Sequence, residues 1–399
     1  MDRLTLEQGQ AAIAAATGGR LAPEYVPAAQ SNGRILARHV FAASAQPPFN
    51  RSPLDGYALR AADSEGASLD HPAVLRVAGA IFAGMAASPL PEGCAVRVTT
   101  GAMLPAEADC VIRQEDTDRG METVRLYRAL RPRQNYCFAG EDFEKGALLA
   151  KRGERLDAVT AAILASGGNA GIPVVRRPRA ALLSTGDELV RPGGVLTPGR
   201  IYDSNACFLQ ARLEELGAMA SPLRHIPDQA ERLAEALDQA ASGADCVLTT
   251  GGVSVGTRDL IPEALARLDA RIVFHGLDFK PGSVTLFAVY AGKPVLCLSG
   301  NPFAAAVGFE LLGRVMLSAL TGSTELLPQR GTAETENAFP KASPGRRLIR
   351  ARFHNGKIRI PDKHDSGLLF SMRKCGCLAD IPAGSEGLRA GQPVSVFFL

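Results

Sequence analysis

Between Arg179 and Gly322 the chain alternates short apolar runs with amphipathic stretches, and this alternation narrows the possible folds more than any other feature. "RAALLST" (179–185), "SPLRHI" (221–226), "CVLTT" (246–250) and "KPVLCLSG" (293–300) read as strands. Between them, "DSNACFLQARLEELGA" (203–218) places Leu209, Leu213 and Leu216 on one helical stripe, with Gly217 as its stop. "DQAERLAEALDQAA" (228–241) reads as a second helix, with Asp228 and Glu231 at capping-box spacing. "NPFAAAVGFELLGRVMLSALTG" (301–322) is a third, with Asn301 placed to cap it and Pro302 at its first position. Buried strands separated by helices predict a parallel sheet covered on both faces. Ligands of such sheets bind outside the carboxyl ends of the strands, and three unusual loops fall there.

The flanking sequence is patterned differently. "MDRLTLEQGQAAIAAATGG" carries acids and a glutamine in its apolar stretch, which fits an amphipathic helix better than a signal peptide. Pro-rich "SAQPPFNRSP" (44–53) is a joint, and short alternating stretches such as "AVLRVAGAIFAG" and "CAVRVTTG" predict a β-rich insert. Residues 139–174 read as turn, short strand and helix, and "LIRARF", "GKIRI" and "QPVSVFFL" as strands of a small C-terminal β-domain.

At 399 residues several domains are expected. Lys+Arg 44 against Asp+Glu 41 are spread along the chain, with no tryptophan and 6% aromatics, which leaves no footprint for nucleic acid or an anionic membrane. Eight scattered cysteines without repeated C-x-x-C pairs read as reduced thiols, and a cytoplasmic location is the expectation. Cys375 and Cys377 form a ligand pair lacking a partner pair.

"TTGGVSVGTRDL" (249–260) follows a strand with Gly251 and Gly252, residues that allow a tight turn and expose N–H groups to an anion. The plainer reading is a strand-to-helix turn capped by Asp259. "STGDEL" (184–189) brings small hydroxyls, a glycine and the acids Asp187 and Glu188 to the same edge, or is a solvated strand exit. "SGNP" (299–302) adds a third loop, itself explicable by helix capping. Three such loops at one edge predict a pocket for a phosphate-bearing ligand. Lys280 in "FKPGS" is a cation beside it; Asp55 in "LDGY" and Asp142 in "AGEDF" sit in turns. No H-E-x-x-H is present.

Taken together, "PPFNRSPLDGYALR", "VTTGAMLP", "AGEDF", "STGDEL", "GRIYDSN", "TTGGVSVGTRD", "FKPGS" and "LSGNPFAAA" resemble, in order and spacing, the molybdopterin molybdenumtransferase (MoeA) family, which includes the E-domain of gephyrin. The resemblance spans essentially the whole chain. It implies a multidomain α/β plus β fold: an N-terminal helix (1–26) on the α/β domain, a linking α/β region (27–46 and 139–177), a β-rich insert (47–138), a central parallel α/β domain (178–327) and a barrel-like C-terminal β-domain (328–399). It also implies a homodimer whose cleft lies between this α/β domain and the partner's β-rich domain. Adenylylated molybdopterin and molybdate are the implied substrates, Mg²⁺ the implied ion, and molybdenum cofactor and AMP the products. A molybdopterin adenylyltransferase that hands over the substrate and molybdoenzymes that accept the product are the further partners left open.

Mapped onto this sequence, Asp55, Asp142, Glu188 and Asp259 are the implied acids, with Glu188 and Asp259 toward the metal. Thr100 and Gly101 line the cleft from the β-rich side. Ser184, Thr185, Gly186, Asp187, Gly251, Gly252, Ser254, Arg258, Lys280, Ser283, Ser299, Gly300, Asn301 and Pro302 face the pterin, its phosphate and the anion. The sequence departs from the family at Ser283, where a second lysine is usual, at Ser299, at Asn50 and in "VSVGTRD", where Arg258 offers a replacement charge. Tungstate in place of molybdate, or a non-catalytic pterin-binding or scaffold role, are the alternatives.

Overall fold

The strand Arg179–Thr185 organises the largest sheet. In the computed structural model, which describes residues 3–222, 224–253 and 260–399, it pairs in parallel with Cys246–Thr250 on one side and with Met219–Ala220 and Arg224–Ile226 on the other. Cys246–Thr250 pairs in parallel with Lys293–Leu298. Alternate residues enter two separate cores: Leu182, Leu248 and Leu296 belong to one, and Leu183, Val247 and Val295 to the other. The period of two thus buries both faces, as the unbroken apolar runs predict.

Two features differ from expectation. The sheet continues past Lys293–Leu298 with Leu286–Tyr290 and then Arg271–His275, both antiparallel. Ala291 and Gly292, both at positive φ, make the two-residue turn that reverses the chain. The second helix runs Ala230–Gly243 without a side-chain cap. Asp228, expected to cap it, instead accepts hydrogen bonds from Thr185 Oγ1 (2.7 Å) and the Asp187 amide (3.3 Å).

The long helix is continuous from Pro302 to Thr321, and Gly322 ends it at φ +76°. Asn301 occupies its cap position but makes no side-chain capping bond. The helix is apolar and long enough to cross a bilayer, yet 89% of its apolar window is buried in the fold, which makes it a core helix. A π turn at Phe309–Gly313 carries the buried Glu310. Its carboxylate accepts both Arg212 Nε (2.7 Å) and Nη2 (3.0 Å), a fork that compensates the buried charge.

The helix Leu6–Ala16 begins with a complete capping box, Thr5 with Gln8, and packs on the α/β domain. Gln10 Nε2 donates to the Leu311 carbonyl at 2.9 Å, and a side chain at Gly9 would meet Leu277 at 2.7 Å. The linking region pairs Pro23–Pro27 with Gly171–Val175 and Val40–Phe41 with Leu148–Ala150. The β-rich insert is a five-stranded sheet in the order Cys110–Arg113, Gly56–Leu59, Cys94–Val98, Ala73–Ile81, Thr123–Leu126. The C-terminal domain is a closed barrel of Gln329–Thr335, Lys357–Arg359, Arg347–His354, Cys377–Ile381 and Pro393–Phe398.

All eight cysteines are free, and no group of three or more potential metal ligands occurs among the described residues. Burial pushes the Cys246 and Cys297 thiols up to about 12, so both stay protonated and inert at neutral pH.

Candidate functional site

A cleft of about 1000 Å³ opens at the carboxyl ends of the parallel strands. Its α/β wall is made of the loops that leave Arg179–Thr185, Cys246–Thr250 and Lys293–Leu298, joined by the segment Lys280–Ser283. The loops press on one another closely enough to dictate glycine. A Cβ on Gly251 would lie 2.2 Å from the Thr185 carbonyl oxygen, and Gly251 also sits at φ +88°. Gly251 N–H donates to Leu298 O (3.2 Å), while Asn205 Nδ2 donates to Gly300 O (2.8 Å) and the Asn301 amide to Ser299 Oγ (3.2 Å). Bare backbone is therefore held rigidly at the cleft, the arrangement that lets phosphate oxygens approach N–H groups.

Acids and cations face this backbone. Glu188 lines the cleft with its carboxylate folded back toward Gly186, where an added Cβ would meet Glu188 Oε2 at 2.8 Å. Asp228 also lines the cleft, latched to Asp187 by reciprocal amide–carboxylate bonds of 3.3 Å. Lys280 is exposed into it.

The opposite wall comes from the C-terminal barrel through Arg347 and residues 364–367. One buried side chain fixes it. Arg350 donates Nη2 to the carbonyls of His364 (2.7 Å) and Asp365 (2.5 Å) and Nη1 to that of Leu368. Its guanidinium carbon lies 3.7 Å from the centre of the Phe303 ring, and Phe303 N–H donates to Ser366 O at 3.1 Å. A cation stacked on an aromatic ring thus ties the barrel loop to the start of the long helix.

Of the residues singled out in the sequence, the structure brings Thr185, Gly186, Glu188, Gly251, Gly252, Lys280, Ser283, Ser299, Gly300, Asn301 and Pro302 to this cleft. Ser184 lies buried beneath it, its hydroxyl 3.3 Å from that of Thr250, and Asp187 acts behind the lining through Asp228. Ser254, Arg258 and Asp259 lie outside the described residues.

Asp55, Thr100, Gly101 and Asp142 stand apart from this cleft within one chain. The first three form their own cluster: Asp55 Oδ1 accepts the Thr100 amide (2.7 Å) and hydroxyl (2.9 Å), and the Gly101 amide bonds Ser52 O (2.8 Å). The Thr100 bonds hold the Asp55 carboxyl below its ordinary range. Asp142 is exposed on a turn tied to Gln46.

Sequence reasoning missed Asp228, Arg347, Arg350 and the 364–367 loop.

Profiles of known families match along the chain. "MoeA N-terminal region (domain I and II)" matches residues 4–168, "Probable molybdopterin binding domain" residues 181–319 and "MoeA C-terminal region (domain IV)" residues 332–399. A molybdopterin molybdenumtransferase of Staphylococcus epidermidis is 34% identical over 92% of this chain and 89% of its own length. That of Staphylococcus aureus strain COL is 33% identical over the same shares. A solved molybdopterin biosynthesis MoeA protein from Pyrococcus horikoshii superposes with a TM-score of 0.85 at 31% identity, covering 100% of this chain and 99% of the other.

Proposed function

The chain belongs to the MoeA family of molybdopterin molybdenumtransferases, and on that premise we propose that its cleft inserts molybdate into adenylylated molybdopterin and releases AMP. It is a transferase of molybdenum cofactor biosynthesis. The observation that carries the finer reading is the meeting of three strand-end loops, two acids and Lys280 in one cleft of about 1000 Å³. That volume suits a ligand with both a pterin and a nucleotide.

The chemistry needs a phosphate link cleaved while a tetrahedral oxyanion reaches a dithiolene. The glycine backbone at Gly251, Gly252 and Gly300 receives phosphate oxygens without steric conflict. Lys280 offsets charge on the anion, and Glu188 with Asp228 orients the water that attacks. Mg²⁺, when bound, neutralises phosphate charge. Glu188 and Asp228 are oxygen donors suited to it, and two carboxylates completed by substrate phosphates and water match its habits better than a protein cage.

Asp55, Thr100, Gly101 and Asp142 complete the site from the partner of a homodimer. Mixing Asp55→Ala with Glu188→Ala tests this, because a heterodimer rebuilds one intact site. Recovery of about a quarter of wild-type turnover is expected from random pairing, and no recovery refutes the shared site.

The direct assay is AMP release from adenylylated molybdopterin with Mg²⁺, with and without molybdate or tungstate. Anion-dependent release, reduced about a hundredfold or more in Asp228→Asn, is expected. Tight pterin binding without release in any anion overturns the catalytic reading. Faster release with tungstate would assign the other metal.

A further inference from the structure

Two adjacent arginines of the barrel face opposite circumstances. Arg346 is saturated with acids: Nη1 donates to Glu7 at 2.9 Å, and Nε and Nη2 donate to Asp380 at 2.8 and 2.7 Å. Those carboxylates raise its pKa further, with Asp380 the main cause. Arg347 has no carboxylate within ion-pair distance among the described residues.

Arg347 is nevertheless placed beside a second cation. It is the bridge partner of Lys280, fixed by Lys280 N–H to Arg346 O (3.0 Å) and Leu348 N–H to Lys280 O (2.8 Å). Both residues line the cleft, and both also line a smaller cavity of about 160 Å³ behind it. Ser283 belongs to both linings as well, and Arg3 adds a further cation to the smaller one, where Asp278 is the lone acid among the described residues. Lys280, like Arg347, has no acid within ion-pair distance among the described residues. Gathering cations where two cavities meet, while the neighbouring arginine pairs with Glu7 and Asp380, raises the energy of the empty site and lowers it once an anion arrives.

We infer that Arg347 is an anion-binding residue of the cleft, holding a tetrahedral oxyanion together with Lys280 and Ser283. The inference rests on the transferase reading given above and adds a residue to it. A guanidinium presents paired N–H donors to two oxygens of one oxyanion, a grip that an ammonium group does not reproduce. It also answers the departure at Ser283: the charge usual there is supplied from another domain, by Arg347. Molybdate and the phosphate of the nucleotide offer the same chemistry, and binding measurements separate them.

The test is calorimetric titration of the full-length protein with molybdate, inorganic phosphate and AMP, each in turn. Wild type, Arg347→Ala, Arg347→Lys and the exposed-barrel control Arg359→Ala are compared, alongside melting temperature. Arg347→Ala is expected to weaken at least one oxyanion about tenfold, Arg347→Lys less, and Arg359→Ala not at all, with melting temperatures unchanged. Loss confined to molybdate assigns the arginine to the metal oxyanion; loss confined to AMP assigns it to the nucleotide phosphate. Unchanged affinity for all three anions in Arg347→Ala, in a protein that releases AMP normally, overturns this inference and leaves the transferase reading intact. A wild-type protein that neither binds oxyanions nor releases AMP overturns both.

Discussion

The two walls of the cleft are built by opposite means. The α/β wall is backbone: glycines at strand ends, packed so closely that Gly251 has no room for a methyl group. The barrel wall is side chain: Arg350 reaches from a strand to hold three carbonyls and an aromatic ring that belong to other segments. A wall of backbone is set by local geometry and tolerates little. A wall hung mainly from one guanidinium depends on a long-range tether.

Removing that tether should have the largest effect. Arg350→Ala strands the carbonyls of His364, Asp365 and Leu368 and opens a void over Phe303, at a cost of about 4 kcal/mol. A lowered urea midpoint, with faster amide exchange in residues 364–368, is the expected reading. An unchanged exchange pattern would mean that the barrel loop holds itself.

Gly251→Ala attacks the other wall. A methyl group 2.2 Å from the Thr185 carbonyl at φ +88° forces the loop to move, which should cost about 2–3 kcal/mol and most of the turnover. If stability falls but AMP release per folded molecule does not, the glycine serves packing alone.

A pH measurement probes the far end of the same strands. Burial alone would raise the pKa of Asp245, yet the Arg176 guanidinium and the Arg179 amide hold it below the ordinary aspartate value. A depressed folded pKa contributes stability above the unfolded value near ~4 and loses it as pH falls through the folded value. Asp245→Asn should therefore flatten the acid limb of the stability curve, and an identical limb would deny the pair that role.

The smallest effect is expected at Asn301. A true side-chain cap is worth about 1 kcal/mol, but Asn301 makes no capping bond. Asn301→Ala should leave melting nearly unchanged while altering AMP release, since the residue lines the cleft.

The same contrast explains what the sequence discloses. Strand-then-glycine is a local pattern, so the α/β wall can be read from three short stretches. Asp228 misleads because i, i+3 spacing with Glu231 fits a capping box equally well. Only in three dimensions does the Thr185 hydroxyl compete for its carboxylate. The edge hairpin escapes notice because Ala291-Gly292 is not the usual Asn-Gly or Asp-Gly turn signal. Arg347 and Arg350 are invisible for a different reason. Their partners lie in other segments and other domains, and nothing within a few residues of either announces them.

The docking of the N-terminal helix has a consequence for how the protein is made. Gln10 bonds Leu311, 301 residues away, and the Leu21 amide bonds Leu320. Once synthesised, this helix thus completes its contacts only after about three hundred further residues have been added. At common synthesis speeds that delay is on the order of tens of seconds. Throughout it, Leu6 and Ile13, both fully buried in the finished protein, wait without their partners and are open to capture by a chaperone.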